Sequence, residues 1–298
     1  MCRPVVLGGL AAVLWLVAVG EAGATTWAPK KMTCPVCQAS NTLQVPMSYG
    51  SYIYSWPSKY QYVFWPYIDP AVLHCCRQCG LTCFLGDFED VPKEKREAVR
   101  KALAGVSYAF EDGKYDTVRM SKRLAVAEKV YRVLGRSDEF WCRFYRVLGY
   151  CLGAEAVEEQ GAEKQKSQAG AAEARRKALA LAEKMLKEKD REPVRKELLL
   201  ICGAMRHFLK DDAAALADFR AAQALTYKPG PHMLEPLKKA AESPDPQKAA
   251  EAKEELARAQ AEMQERAAGI DTYLSELLKD YISLIQKKEG PQDGPTRE

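Results

Sequence analysis

Four cysteines near the N-terminus have the spacing of a metal site. Cys34 and Cys37 form one C-x-x-C pair, and Cys76 and Cys79 form a second that is followed by Gly80, which allows the positive φ angle common after such a turn. Each pair can form a tight turn in which both thiolates point at one ion, and two such turns supply four tetrahedral ligands. The pattern therefore predicts one structural Zn²⁺ bound by Cys34, Cys37, Cys76 and Cys79. Four thiolates leave no position for water, so this zinc is expected to stabilise the fold and not to catalyse hydrolysis.

Residues beside the second pair leave other assignments open. Cys75 could replace Cys76, Cys75 and Cys83 could form a separate disulfide, and His74 could replace a cysteine. Cys76 is favoured because it alone has the two-residue spacing to Cys79. Two disulfides or a redox-active C-x-x-C pair are further alternatives, which an oxidising compartment favours and the lack of a thioredoxin-like βαβ pattern disfavours.

The spacer between the two cysteine pairs is rich in aromatic residues. Their alternation on either side of Pro57-Ser58 predicts a β-hairpin with strands at about residues 50–56 and 60–66. This aromatic hairpin would bring the cysteine pairs together in a small β zinc-ribbon domain over residues 25–90. Its aromatic face could be a recognition surface, or it could simply cover a small core.

The chain after Val91 is rich in Ala, Leu, Glu, Lys and Arg with helical periodicity. Residues 156–172 are polar and predict a loop or a frayed, solvated helix. The fold class is therefore mainly α, with tetratricopeptide-like antiparallel helix pairs over residues 91–232 after the zinc ribbon. Start and stop signals predict helices from Pro92 to about Ala104, from Ser137 or Asp138 to Leu152, from Ala174 to Lys189, from Pro193 to about Leu209, and from Asp211 to Leu225.

A long helix from about Gln247 to Lys287 is predicted within a C-terminal region of residues 233–288, before a disordered tail at residues 289–298. Its apolar stripe widens only in the second half, so the helix could form a weak coiled coil or project into solvent. Residues at intervals of seven are Leu256, Met263, Ile270, Leu277 and Leu284.

The first residues predict a secretory signal over residues 1–24. Arg3 precedes an apolar run at residues 4–19, and Ala22-Gly23-Ala24 fits signal-peptidase cleavage after Ala24. The mature protein is then expected in the periplasm or outside the cell, without membrane attachment. The alternative is an uncleaved anchor formed by residues 4–20.

Three later cysteines, Cys142, Cys151 and Cys202, lie singly inside helical patterns. Buried free thiols behave as small apolar groups, and we expect that role for all three. A disulfide between Cys142 and Cys151, or between Cys151 and Cys202, is the alternative.

The predicted helix pair from Leu199 to Ala222 resembles a tetratricopeptide repeat. Gly203 and Ala215 are small residues that would let the two helices approach closely while Phe219 fills the gap. Together with the two C-x-x-C pairs, the aromatic spacer and Asp87-Phe88-Glu89, residues 32–226 resemble a bacterial family of uncharacterised proteins with an N-terminal zinc ribbon and tetratricopeptide-like repeats. The resemblance implies that architecture and no activity. The positions that match the repeat are Leu199, Cys202, Gly203, Arg206, Ala215, Phe219 and Ala222.

Charge and motif content exclude several function classes. The formal charge is only +4, from 44 Lys and Arg against 40 Asp and Glu, so no broad basic field would hold a nucleic acid. G-x-S-x-G, G-x-x-x-x-G-K, G-x-G-x-x-G and H-E-x-x-H motifs are all missing. His207 and His232 are not expected to be catalytic, because no motif places a nucleophile beside them.

The sequence therefore predicts a non-enzymatic scaffold for protein–protein interaction. Its unknown protein or peptide partner would bind the concave face of the stacked helices. One alternative is a thiol redox or metal-handling protein that uses the six cysteines between Cys34 and Cys83. A second is nucleic-acid binding by the ribbon and its aromatic residues. The oligomeric state is left open.

Overall fold

The computed structural model describes residues 25–49, 70–110, 114–228, 235–243 and 246–289. Within these ranges the chain is mainly helical, as predicted, with antiparallel β-strands confined to its N-terminal part. No helix in these ranges combines the length and the apolar character needed to cross a membrane. The predicted signal, the aromatic hairpin, His232 and all but the first residue of the predicted tail lie outside the described residues.

Two β-hairpins form the N-terminal region, and each carries one cysteine pair at its turn. Strand β1 (Thr25–Thr33) pairs antiparallel with β2 (Ser40–Tyr49), and β3 (Leu73–Cys75) pairs antiparallel with β4 (Thr82–Phe84). Strands β1 and β2 were not predicted, because Lys and Pro interrupt their apolar pattern and β1 is largely exposed. Each cysteine pair is thus positioned by its own hairpin.

The helical part begins after a 3₁₀ turn at Lys93–Lys95. Further 3₁₀ turns at Tyr115–Thr117 and Lys189–Val194 connect later helices. The helices are α1 (Arg96–Ala102), α2 (Met120–Leu134), α3 (Asp138–Glu158), α4 (Gly161–Met185), α5 (Arg195–Phe208), α6 (Asp212–Gln223), α7 (Glu235–Ala241) and α8 (Pro246–Glu289).

Two helix starts confirm the predicted caps. The Ser137 hydroxyl accepts a hydrogen bond from the amide of Phe140 at 3.4 Å, and the Asp211 carboxylate accepts one from the amide of Ala214 at 3.2 Å. Each side chain satisfies an amide that the first helical turn leaves without a backbone partner.

The polar segment at residues 156–172 is helical, so the loop interpretation is wrong and the solvated-helix alternative is right. Helix α3 continues through Gly153 to Glu158, and α4 starts at Gly161 after only two connecting residues. Most side chains of the segment are exposed, but Ala156 of α3 and Ser167 and Ala171 of α4 are buried. Small residues at this spacing present a narrow stripe to α3, which a composition-based loop assignment overlooks.

Helices α3 and α4 pack antiparallel, and so do α5 and α6. In the second pair, a Cβ added at Gly203 would lie only 2.5 Å from the Phe219 Cε1 atom. The predicted close approach at Gly203, with Phe219 filling the gap, is therefore confirmed. Leucine and alanine side chains elsewhere in the pair are buried around this contact.

Replacing Gly203 by alanine is expected to destabilise the protein by about 1–3 kcal/mol, because the added methyl group overpacks the core against Phe219. The matched control is Gly269→Ala in α8, where an added Cβ meets nothing within 4 Å. That change is expected to stabilise the protein by about 0.5–1 kcal/mol through helix propensity. Urea unfolding of both variants measures the two free energies, and equal effects at both sites would contradict the packing argument.

Only the C-terminal half of α8 packs on the helical body. Of the residues at intervals of seven, Leu277 is buried but Leu284 is 43% exposed, so the heptad pattern does not describe the whole buried stripe. The helix contacts α5 and α6 through this half and α7 through the other. The prediction that the apolar stripe of this helix widens in its second half is confirmed. Apart from Ala252 in the first half, the buried residues are Ala267, Leu274, Leu277, Leu278, Tyr281 and Ile285.

Side chains from the helical part hold the β-hairpins in place. The buried Arg123 of α2 donates to the carbonyl of Leu73 at 3.0 Å. The Tyr131 hydroxyl accepts a hydrogen bond from the amide of Phe84 at 2.8 Å and donates one to Asp87 at 2.7 Å. The predicted domain boundary near residue 90 separates segments of different amino-acid composition. One continuous apolar core nevertheless extends across it.

Candidate functional site

Each cysteine pair lies in the same type of backbone turn. In both turns the amide four residues after the first cysteine donates to that cysteine's carbonyl, at 2.9 Å and 3.0 Å. The first cysteine's own amide donates to the carbonyl five residues further on, at 2.9 Å and 2.8 Å. Two sequence-distant segments therefore present their thiols in equivalent geometry, as the C-x-x-C spacing predicts.

The residue after each pair has a positive φ angle, 63° at Gln38 and 73° at Gly80. Glycine adopts this conformation without a steric penalty, so the prediction made for Gly80 is confirmed. Gln38 is a side-chain-bearing residue in the same place, and its Nε2 donates to the carbonyl of Pro35 at 3.1 Å. This hydrogen bond stabilises the less favourable backbone of the first turn.

The four predicted ligands lie together. The Sγ atoms of Cys34, Cys37, Cys76 and Cys79 are all within 4.8 Å of one another, and the distances Cys34–Cys79 and Cys37–Cys76 are both 3.6 Å. Zn–S bonds of about 2.3 Å place the sulfurs of a regular tetrahedron about 3.8 Å apart, whereas disulfide sulfurs lie about 2.05 Å apart. The four thiols are free, and their arrangement could hold a metal ion.

The alternative ligands lie elsewhere. Cys75 accepts a hydrogen bond from the Thr82 hydroxyl at 3.4 Å, and Cys83 is a fully buried free thiol. The Nε2 atom of His74 is 2.9 Å from the carbonyl oxygen of Gln44. None of these three candidates belongs to the group of four, which includes Cys76 as predicted.

Because the sulfurs lie close together, the pKa values of some of the thiols are raised and that of another is lowered. The hydrogen bond with Cys76 raises the pKa of Cys34 to about 12, and hydrogen bonds with Cys34 and Cys76 raise the pKa of Cys79 further. Hydrogen bonds from Cys34 and Cys79 lower the pKa of Cys76. One thiolate is thus stabilised by neutral thiols, and a divalent cation must displace the remaining protons. Metal affinity is therefore expected to fall as the pH is lowered.

Asn41 supports the site and was not identified from the sequence. Its buried Nδ2 lies 3.5 Å from the Sγ of Cys76 and donates to the carbonyl of Ala39 at 3.0 Å. Its Oδ1 accepts a hydrogen bond from the amide of Arg77 at 2.9 Å. One side chain thereby connects the two turns. A single Asn carries no spacing signal, so only its place two residues beyond the first turn could have drawn attention to it.

Replacing Asn41 by alanine is expected to weaken metal binding about tenfold or more, because hydrogen-bonding groups around metal ligands typically contribute 10–100-fold (~1.4–3 kcal/mol). Competition with a chromophoric chelator measures the affinity. The matched control is Gln78→Ala, an exposed position within the second turn, which should leave the affinity unchanged. Equal affinities for the Asn41 variant and wild type would exclude this supporting role.

The single cysteines outside the cluster are buried free thiols, as predicted. Cys142, Cys151 and Cys202 are each at most 8% exposed, and burial raises the pKa of Cys151 and of Cys202 to about 12. His207 is also buried, with its Nδ1 2.5 Å from the Asp212 carboxylate. These groups contribute to packing in α3 and α5.

A second candidate site is a groove between α3 and α5. It is a cavity of about 230 Å³ with the end of α4 and the 3₁₀ turn at Lys189–Val194 forming its remaining walls. Charged and apolar residues both line the cavity. The charged residues are Glu139, Arg143, Arg146, Arg191 and Glu197, and the apolar ones include Met185, Val194, Leu198 and Ile201.

No protein-family model, curated protein or solved structure matches this chain. The resemblance to the zinc-ribbon and tetratricopeptide-like family therefore stays a prediction. Among the described residues, the cysteine cluster and the groove are the features on which a functional proposal can rest.

Proposed function

We propose that this chain is a non-enzymatic, exported scaffold in which a structural zinc ribbon stabilises the N-terminal end of a helical array. The partner, a protein or peptide, binds in the groove between α3 and α5. The cavity of about 230 Å³ with charged walls and apolar lining is the observation that carries the proposal.

Zinc is the metal that the ligand set favours. Four thiolates are soft ligands, and their tetrahedral arrangement suits Zn²⁺ better than the hard cations that prefer oxygen. The Cys34 and Cys76 sulfurs are buried, and Cys37 and Cys79 are half-buried. Bound zinc would supply cross-linking of the two hairpins, while Cys34, Cys37, Cys76 and Cys79 supply the complete ligand sphere.

The helical packing supports a repeat architecture. Helices α3 with α4 and α5 with α6 form consecutive antiparallel pairs, and α4 also contacts α5. In such an array the first helix of each pair lines one face and the second lines the other. Helices α3 and α5 are the first helices of the two pairs, so their shared groove is the face expected to bind a partner.

Site-specific photo-crosslinking in the native host tests the groove. A photoreactive amino acid at Val194, which lines the cavity, should give a discrete protein adduct. The same amino acid at Arg220, an exposed position on α6, should not give that adduct. Failure of the Val194 position to form an adduct, or the same adduct from both positions, would reject the groove as the partner site.

A further inference from the structure

Two half-buried sulfurs of the cysteine cluster each lie against a buried sulfur of the other turn. Cys37 and Cys79 are half-buried, whereas Cys34 and Cys76 are buried. The Sγ atoms of Cys37 and Cys76 are 3.6 Å apart, and so are those of Cys34 and Cys79. An oxidant that enters from solvent therefore meets Cys37 or Cys79 first, and a sulfur that can react next belongs to the opposite turn.

A disulfide between the turns needs only a short approach of the two sulfurs. Disulfide sulfurs are about 2.05 Å apart, so each inter-turn pair has to close by about 1.5 Å. The Asn41 side chain already connects the turns, because it donates to the carbonyl of Ala39 at 3.0 Å and accepts from the amide of Arg77 at 2.9 Å. Rotation of the cysteine side chains supplies a displacement of that size while Asn41 keeps the turns in place.

We infer that the ribbon has two interchangeable cross-links: one metal ion held by the four cysteines, and two disulfides, Cys34–Cys79 and Cys37–Cys76, that replace it when a peroxide oxidises the thiolates. The metal form is the resting state. Both cross-links join the same two hairpins, whereas a disulfide within either turn would leave the hairpins separate. In an exported protein, whose thiols are open to oxidants, the exchange keeps the N-terminal region folded after the metal is lost. The inference rests on the exported zinc ribbon proposed above.

Hydrogen peroxide is the oxidant, and each disulfide uses one molecule of it. The Cys37 sulfur attacks a peroxide oxygen, the O–O bond breaks, and a sulfenic acid forms as water leaves. The Cys76 sulfur then displaces the sulfenic oxygen as a second water molecule, and the S–S bond forms. Cys79 and Cys34 react in the same way. From four metal-bound thiolates, two peroxide molecules and four protons give two disulfides, four water molecules and one free divalent cation.

Peroxide treatment of the full zinc-loaded chain tests the exchange. Zinc release, followed with a chromophoric chelator, should accompany a fall in the thiols of the denatured protein from nine to five, because the other cysteines from Cys75 to Cys202 are buried. Peptide mapping should identify the two inter-turn disulfides, and dithiothreitol with zinc should restore the starting state. The β1–β4 amides should keep their protection from hydrogen exchange, whereas in reduced, chelator-treated protein that protection should fall at least about tenfold.

Two double variants, each with two of the four thiols, separate the pairings without any metal. Cys34→Ser with Cys79→Ser leaves an inter-turn pair, in which peroxide should form one disulfide and restore protection of the hairpin amides. Cys34→Ser with Cys37→Ser is the matched control, because it leaves Cys76 and Cys79 in one turn, and peroxide should not restore protection there.

Disulfides within the turns of a chain that binds zinc would overturn the inference alone. Equal responses of the two double variants, or loss of hairpin protection on oxidation of the wild-type protein, would overturn it as well. Failure of the wild-type chain to bind zinc would instead reject the structural zinc of the proposed function, and the exchange with it.

Discussion

Substituting Cys79 by serine is expected to release the metal ion and unfold both N-terminal hairpins. Two-stranded hairpins are marginally stable by themselves, and structural zinc contributes about 10–16 kcal/mol of apparent folding free energy in zinc-finger peptides. The metal content per chain should fall from one to zero by elemental analysis, and the β1–β4 amides should lose their protection from hydrogen exchange. Treatment of the wild-type protein with a strong chelator should give the same result.

The matched control is Cys75→Ala, which removes the neighbouring buried thiol that lies outside the group of four. This variant should keep one metal ion per chain and lose only the packing of one sulfur. Loss of metal from the Cys75 variant, with retention in the Cys79 variant, would show that the ligand assignment is wrong.

Oxidation of the same cysteines in the resting protein would support the redox alternative instead. Two sulfur–sulfur distances of 3.6 Å run between the two turns, from Cys34 to Cys79 and from Cys37 to Cys76. Disulfides in a metal-free protein would therefore be expected between turns, and peptide mapping would identify them. Finding such bridges in the mature protein from its native compartment would contradict the zinc proposal.

Unfolding of the hairpins is expected to affect the helices as well. Arg123 and Tyr131 of α2 hydrogen-bond to backbone groups of β3 and β4, and the Tyr115 hydroxyl donates to the carbonyl of Ala71 at 2.7 Å. Without the ribbon, the buried guanidinium of Arg123 loses a partner that solvent must replace. Metal loss should therefore also lower the thermal stability of the helical part.

The cluster of four cysteines was predictable because the geometry of each pair is local. Each C-x-x-C pair specifies its own turn within a few residues, and Gly80 marks the position that needs a positive φ. The fold then has only to bring two preformed turns together. Ser137 and Asp211 were predictable for the same reason, since a helix cap depends on residues within three positions.

Features that depend on tertiary contacts were missed. Strands β1 and β2 are held together by backbone pairing across the turn that carries Cys34 and Cys37, and their apolar pattern is too weak to predict them. The start of α4 is polar, and its helical state is stabilised by packing of small residues against α3. Asn41 and the groove each combine residues far apart in the sequence, and no single-segment pattern reports such a juxtaposition.

The attachment of α8 also depends on such a long-range contact. Lys196 of α5 is only 2% exposed, and its Nζ lies 2.7 Å from the Asp271 carboxylate and 2.8 Å from the Ser275 hydroxyl. The same Asp271 carboxylate accepts a hydrogen bond from the amide of Tyr227 at 2.6 Å. One carboxylate thus neutralises a buried ammonium and fixes the chain that leaves α6.

Replacing Asp271 by alanine is expected to lower the free energy of unfolding by about 3–5 kcal/mol, because the change leaves a buried, uncompensated ammonium. Urea denaturation measures the loss.

Burial opposes ionisation of Asp271, but hydrogen bonds from Lys196 and Tyr227 outweigh it and lower the pKa of this carboxyl group. A lowered folded-state pKa stabilises the protein above the unfolded value of about 3.9, and this contribution is lost as the pH falls further. The difference between wild type and variant should therefore shrink at pH values below about 4.

Two comparisons separate the buried charge from general damage. The double variant Lys196→Met with Asp271→Leu removes both charges and should recover much of the lost stability, since apolar replacements of buried ion pairs are often tolerated. Lys184→Ala breaks the exposed Lys184–Asp138 pair, whose side chains are 64% and 35% exposed, and should change stability little. If the double variant were as unstable as Asp271→Ala alone, the loss would have to come from the Tyr227 contact, and the buried ammonium would not be its cause.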